Sequence, residues 1–314
     1  MSSPDPIIND NPAIQSYYAS LESRIGYRLV LGGTRHYAYW DTDTWFPLPL
    51  GPALRRMESK LLAALSLPSG ATVLDAGCGV GHVALYMARE GGLRVRAIDI
   101  VDHHVVKARR NIAAAEASGS ISPGQISVAK MDYHHLEAIG DASLDGVYTM
   151  ETLVHATNPA AVLAGFMRAL RPGGRIALFE YDHDLDGAAA DASGVAGWMV
   201  RDMRRVNELA AMPTHQKARP GFFRDLLKEA GFEQVVVRDY TDNVRPMLRL
   251  FYYFAIVPYL IVRLLGLERY FANTMAGVLG YAAGKHCRYV AISARKPGKE
   301  LEVEVQEPEN LKTR

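Results

Sequence analysis

The chain has 314 residues, enough to bury a full core, and its 49% hydrophobic and 22% charged content is ordinary for a globular enzyme. A formal net charge of +1 provides no long-range attraction for nucleic acid or an anionic membrane. Its two cysteines, Cys78 and Cys287, make no disulfide framework.

Residues 1–12 are polar and proline-containing, which predicts disorder. Met1–Asn11 has neither a basic stretch nor an apolar core, so no secretory signal and a cytoplasmic location are expected. From Ile14 to Leu31, Tyr17, Tyr18, Leu21, Ile25 and Leu29 recur at helical spacing, and Gly32 and Gly33 end that amphipathic helix. Next comes an aromatic segment, 36–45, with two readings: a lid over a site, or packing against a sheet face. His36, Tyr37, Tyr39 and Trp40 are its candidate pocket residues. A helix from Pro52 to Leu65 leads into the first strand.

The chain is organised around the stretch that follows. Val73 and Leu74 read as a buried strand ending at Asp75; Gly77, Gly79 and Gly81 let the backbone turn and approach a ligand, and a helix opens at His82. Strand, glycine turn and helix N-terminus make a nucleotide-type cradle. The spacing also fits a loose dinucleotide pattern, G-x-G-x-x-A. Asp75 argues against that cofactor, because a carboxylate beside a pyrophosphate repels it, whereas the ammonium of S-adenosylmethionine engages an acid. Asp99, roughly 20 residues further on at the end of a second strand, suits two ribose hydroxyls of either cofactor.

Strands near 72–76, 94–99, 126–131, 145–150 and 174–180 alternate with helices near 82–90, 101–117 and 158–171. This pattern predicts a parallel sheet with helices on both faces. Helices at 195–209 and 222–230 and strands at 233–239 and 288–294 complete the reading. Pro246 to Tyr281 is unusually apolar for a connection between two final strands. Its uncharged run, Leu250 to Val262, falls short of the roughly 20 residues of a bilayer span. Three readings stay open: the wall of an apolar substrate pocket, with Phe251, Phe254, Ile256 and Leu260 facing it, a homodimer face, or a peripheral membrane foot between Arg249 and Arg263.

Val73-Leu-Asp-Ala-Gly-Cys-Gly-Val-Gly81 resembles the first motif of class I S-adenosylmethionine-dependent methyltransferases. Ala97-Ile-Asp-Ile100 is similar to their second motif and Lys130-Met-Asp-Tyr133 to their acidic adenine-side position. Asp145 to Ala156 followed by Leu170 to Ile176 resembles the sterol 24-C-methyltransferase-like branch, which includes fungal small-molecule methyltransferases. The resemblance covers about residues 70–182. It implies a Rossmann-like seven-stranded, mostly parallel sheet in residues 71–298, with an N-terminal lid (1–70). The helical insertion (244–284) departs from sterol enzymes, and the charged, aperiodic residues 299–314 read as a disordered tail. The resemblance implies S-adenosylmethionine as cofactor, held by Asp75, Gly77, Cys78, Gly79, Gly81, Asp99, Ile100, Asp132 and Tyr133.

Glu151 and His155 follow the fourth strand. If Met150 to Ala156 starts a helix, their spacing puts both on one face, where His155 is a candidate base and Glu151 a candidate acid or cofactor support. Both also have a plain reading, as a helix-start carboxylate and a core imidazole. His103, His104, His134, His135 and His183 lack companions at metal-ligand spacing, so no metal is expected. The expected function is methyl transfer to O, N or C of a hydrophobic small molecule of secondary metabolism. The alternatives are a sterol or terpenoid C-methyltransferase and a non-catalytic S-adenosylmethionine-binding regulator.

Overall fold

The computed structural model describes residues 8–185 and 197–298. The expected tail lies outside the described residues. Where periodicity predicts one helix there are two, α1 (Ala13–Ala19) and α2 (Leu21–Leu31). Ser20 breaks them: its backbone is extended, and its hydroxyl accepts from Ser23 N–H at 3.2 Å, capping the second helix. Helix α3 (Leu50–Leu65) begins two residues before its expected start and packs on the sheet through Met57, Leu61 and Leu65.

The expected alternation follows: β1 (Thr72–Ala76), α4 (His82–Gly91), β2 (Arg94–Asp99), α5 (Asp102–Ala117), β3 (Ile126–Lys130), β4 (Leu144–Met150), α6 (Pro159–Ala169) and β5 (Leu170–His183). Asn158 caps α6 by accepting from Ala161 N–H, and Pro159 occupies the first helical turn, where no amide is needed. After α7 (Gly197–Leu209), α8 (Phe222–Glu229) and β6 (Glu233–Asp239) come α9 (Thr241–Leu265), α10 (Ala272–Ala282) and β7 (Cys287–Arg295).

The seven strands lie in the order β3-β2-β1-β4-β5-β7-β6, parallel except for β7, which runs antiparallel between β5 and β6. Asp75 on β1 stands beside Ala97 on β2 and Tyr148 on β4. The carboxyl ends of these strands therefore share one edge, where α/β sheets bind ligands.

The insertion departs from the short-run expectation. Its first helix, α9, spans 25 residues with Pro246 and Pro258 inside, long and apolar enough by length and composition to cross a membrane. One face is tied to the domain: Val244, Met247 and Leu248 are buried, and α10 approaches so closely that a Cβ on Gly277 would stand 3.4 Å from Ala255. The opposite face exposes Tyr253, Val257, Leu260, Ile261 and Leu264.

Candidate functional site

The cradle forms where β1 gives way to the glycines. Gly77 (φ 102°) and Cys78 both donate their amides to Ile98 O at 2.9 Å, folding the loop over β2. A Cβ on Gly77 would fall 2.6 Å from the Thr152 side chain, which is anchored by donating to Ala76 O at 2.7 Å. Only glycine fits there. Asp99 ties the loop together, accepting from Gly79 N–H and Val101 N–H, each at 2.8 Å, with the His104 ring 3.2 Å away. Burial opposes its charge, but His104 and the two amides outweigh it and hold the carboxyl below its usual range.

A cavity opens on this loop. Asp75, Gly77, Cys78, Gly79, Asp99, Ile100, Asp132 and Tyr133 all border it, together with Glu151 and His155. Gly81, expected beside them, does not border it. It caps α4 with φ 85°, and a Cβ there would press on Ala108 of α5, so this glycine serves helix packing. Asp132 accepts from the Asp10 and His134 amides and pairs with the His134 ring, while Tyr133 donates its hydroxyl to Thr152 O. Asp75 is different: burial pushes its carboxyl up to about 7, while the Tyr148 hydroxyl beside it favours the charged form. A buried acid in a glycine cradle fits a cationic amino-acid group.

Residues 8–12, expected to be disordered, close this cavity. Asn11 donates from Nδ2 to His155 O and Ala211 O, at 2.8 and 2.9 Å. Gln15 reaches Ile100 O, and Tyr18 places its hydroxyl 3.2 Å from His155 Nε2. Polar side chains that satisfy distant backbone carbonyls leave no periodic signal by which this seal could be read in advance. Residues 1–7 lie outside the described residues.

A larger cavity of about 370 Å³ adjoins the first, and Arg35, His36 and Glu151 border both. Its walls are aromatic and aliphatic. Tyr37 sits edge-on to Tyr181 (centroids 6.3 Å) and to Tyr289 (5.7 Å), and Met247, Leu248 and Phe251 come from α9. The 36–45 segment and the insertion thus meet here, with Tyr37 6.2 Å from Phe251. Phe254 borders the cavity although 63% exposed, so it stands at the mouth. Ile256 packs with the α7–α10 cluster instead, and Leu260 faces outward. Tyr39 and Trp40 are corrections: Tyr39 is buried against Tyr240 and under Lys60, Trp40 packs against the cluster of Leu50, Leu54 and Met247, and neither lines either of these two cavities.

A methyltransferase-domain model matches residues 74–178. The S-adenosyl-L-methionine-dependent Diels-Alderase iccD of Talaromyces variabilis is 46% identical over 91% of this chain and 95% of its own length. The chain belongs to the class I S-adenosylmethionine-dependent methyltransferase family. The Diels-Alderase iliD of a Neonectria species is also 46% identical, over 73% of this chain and 86% of its own. The O-methyltransferase resE of Aspergillus sclerotiorum is 29% identical over 78% and 83%. Among solved structures, the [4+2]-cyclase SpnF superposes with a TM-score of 0.69 at 22% identity, covering 93% of this chain and 98% of SpnF. At that identity the likeness is one of fold. S-adenosylmethionine is the cofactor, and the cradle fits it: two buried acids, Asp75 and Asp99, border the cavity beside the glycine loop.

The segment after β4 differs from the helix expected. Glu151 takes a left-handed backbone (φ 59°), followed by a single 3-10 turn, Leu153–His155. A side chain in that conformation is costly and persists where surroundings impose it. Glu180 does so: its Oε1 accepts from Thr149 Oγ1, Thr152 N–H and Leu153 N–H, pinning the turn. Nothing in the sequence singled out Glu180.

Glu151 and His155 consequently part. Glu151 Oε1 accepts from Tyr37 N–H at 2.7 Å and Tyr289 Oη at 3.0 Å, and burial pushes the carboxyl up to about 7. His155 is absent from the larger cavity. It donates from Nδ1 to Ala211 O at 3.0 Å and accepts from Tyr18 Oη at Nε2, and burial drops its pKa to about 4. Both ring nitrogens are spent on structure, so the plain reading describes its position better than the basic one. The His36 pKa, by contrast, is raised: burial opposes its charge, and Glu58 at 3.3 Å outweighs burial.

Proposed function

We propose that this protein is an S-adenosylmethionine-dependent cyclase that folds a hydrophobic, alkene-bearing small molecule for an intramolecular [4+2] cycloaddition. The observation that carries the reading is the larger cavity: roomy, mostly apolar, adjoining the cofactor cradle, yet served by no effective imidazole base. His155 does not border this cavity, His215 is lowered to about 3, and His36 has both ring nitrogens engaged, by Tyr37 O and Glu58. A cycloaddition needs no base. Three π bonds become two σ bonds and one π bond, no group leaves, and the product is an isomer of the substrate. The Diels-Alderase relatives support the same reading.

The chain's part is positioning and polarisation. The aromatic walls select a folded conformer, so that conformational entropy is lost on binding and not at the transition state. Glu151, protonated below its raised pKa and fixed through Oε1, presents its other oxygen to the cavity as a donor to a carbonyl conjugated with the reacting alkene. Such a donor strengthens as electron density moves onto that carbonyl. When bound, S-adenosylmethionine supplies a fixed positive charge beside the cavity.

Methyl transfer is the second reading, and Glu151 favours it too: an ionised carboxyl at the seam of the two cavities could take an acceptor's proton. Sinefungin, which carries an amine where the cofactor carries its methyl, separates the two. With a hydrophobic polyene substrate, cyclisation continues when sinefungin replaces the cofactor. If product forms only with S-adenosylmethionine, and is heavier by one methylene, the cyclase reading fails.

A further inference from the structure

The larger cavity is not uniformly apolar. Besides Glu151, His215 borders it together with Asn207 of α7. Both are buried, at 5% and 1% exposure, and the His215 Nδ1 lies 2.8 Å from Asn207 Oδ1. An amide oxygen only accepts, so Nδ1 carries the proton and Nε2 keeps its lone pair. Among the described residues, no group hydrogen-bonds that second nitrogen.

The ring is held from several sides. Tyr181 meets it edge-on at 5.1 Å, and His183 does so at 4.9 Å. His183 also donates from Nε2 to His215 O at 2.9 Å, and Thr214 is tied to Ala156 O and Val154 O on the turn after β4. Asn207 is fixed in turn where Met212 N–H donates to its backbone carbonyl at 2.8 Å. A ring used only for packing needs no tautomer. Here an amide selects one, and the acceptor it leaves lines the cavity.

We propose that His215, oriented by Asn207, is a recognition subsite that accepts a hydrogen bond from a hydroxyl of the substrate, an enol or phenol on an otherwise apolar molecule. The inference rests on the reading of this cavity as the substrate's. It gives the substrate a direction. Tyr181, Tyr37 and Tyr289 link His215 to Glu151 through successive ring contacts, so the hydroxyl sits at His215 and the polarised carbonyl at Glu151. His215 is a specificity residue in this account, and a poor base because burial lowers it to about 3.

The test uses the full chain loaded with S-adenosylmethionine and two probes that differ only in an O-methyl group, 4-hexylphenol and its methyl ether, 4-hexylanisole. Binding is measured by titration calorimetry. The phenol should bind roughly tenfold more tightly than the ether, the worth of one buried hydrogen bond. That preference should vanish in His215→Phe, which keeps the ring's bulk, with the ether's affinity retained. Asn207→Leu, which frees the tautomer, should weaken the preference and serves as the second variant if His215→Phe unfolds. Equal affinity of both probes for the wild type, or a preference that survives in His215→Phe, overturns the subsite. Failure of the ether itself to bind the wild type overturns the cavity reading on which the subsite rests, so the two failures are distinguishable.

Discussion

Replacing Glu151 with glutamine separates the two chemistries at a single atom. In the wild type, Oε1 accepts from Tyr37 N–H and Tyr289 Oη, and a glutamine carbonyl keeps both bonds while its amide offers an N–H to the cavity. Alanine would instead orphan two donors, at about 1–3 kcal/mol each, and confuse stability with chemistry. The carboxyl is pushed up to about 7, so it is protonated below that pH and ionised above it. If it works as a donor in a cyclisation, the wild-type rate falls as pH rises through about 7, and Glu151→Gln turns over with a flat profile and most of its rate. If it works as a base in methyl transfer, the wild-type rate climbs through the same window, and Glu151→Gln loses roughly 10²–10⁴-fold. Initial rates of product formation by liquid chromatography, taken from about pH 5.5 to about pH 8.5, decide between them. A rising profile together with an inactive glutamine variant refutes the donor role.

Three further outcomes are expected. Asp99→Ala should weaken S-adenosylmethionine binding in calorimetry, since charge-assisted hydrogen bonds contribute roughly 1.5–3 kcal/mol each; unchanged affinity in a folded variant removes Asp99 from the site. For Glu180, burial raises the carboxyl to about 7 from 4.5, so the folded state loses stability as pH climbs across that window and the group ionises. Glu180→Gln lacks that titration and should gain on the wild type between pH 5 and 8 in denaturant unfolding, whereas a pH-independent difference would show that the carboxyl is not held neutral. His155→Ala should lower the melting temperature by removing a buried ring and its hydrogen bonds to Tyr18 Oη and Ala211 O, at about 1 kcal/mol per bond, with turnover per folded molecule little changed; a large loss of turnover at unchanged stability would restore it as a base.

The parallel sheet and the cofactor loop were legible because they are local. A buried strand, glycines at fixed spacing and an acid at the next strand's end lie within about 30 residues of one another, and backbone sterics leave such a segment few alternatives. What stayed hidden depends on residues far apart in the chain. The turn at Glu151 is left-handed because Glu180 on β5 holds it, and helix propensity around residues 150–156 carries no trace of that partner. Ser20, a capping residue inside an otherwise helical run, did carry a signal for the break between α1 and α2. His215 and Asn207 are eight residues apart on separate elements, with no motif to join them. Tyr39 and Trp40 alternate with His36 and Tyr37 in a segment with no regular period, so sequence could not say which aromatics face the cavity and which the core.

The central claim is that the protein rearranges its substrate without spending the cofactor's methyl. Incubating it with a hydrophobic polyene substrate and S-adenosylmethionine carrying a trideuterated methyl tests this directly by mass spectrometry. The account predicts a product of the substrate's own mass, free of deuterium, with the cofactor recovered intact. A product carrying the trideuteromethyl group, formed in step with S-adenosylhomocysteine, would contradict it.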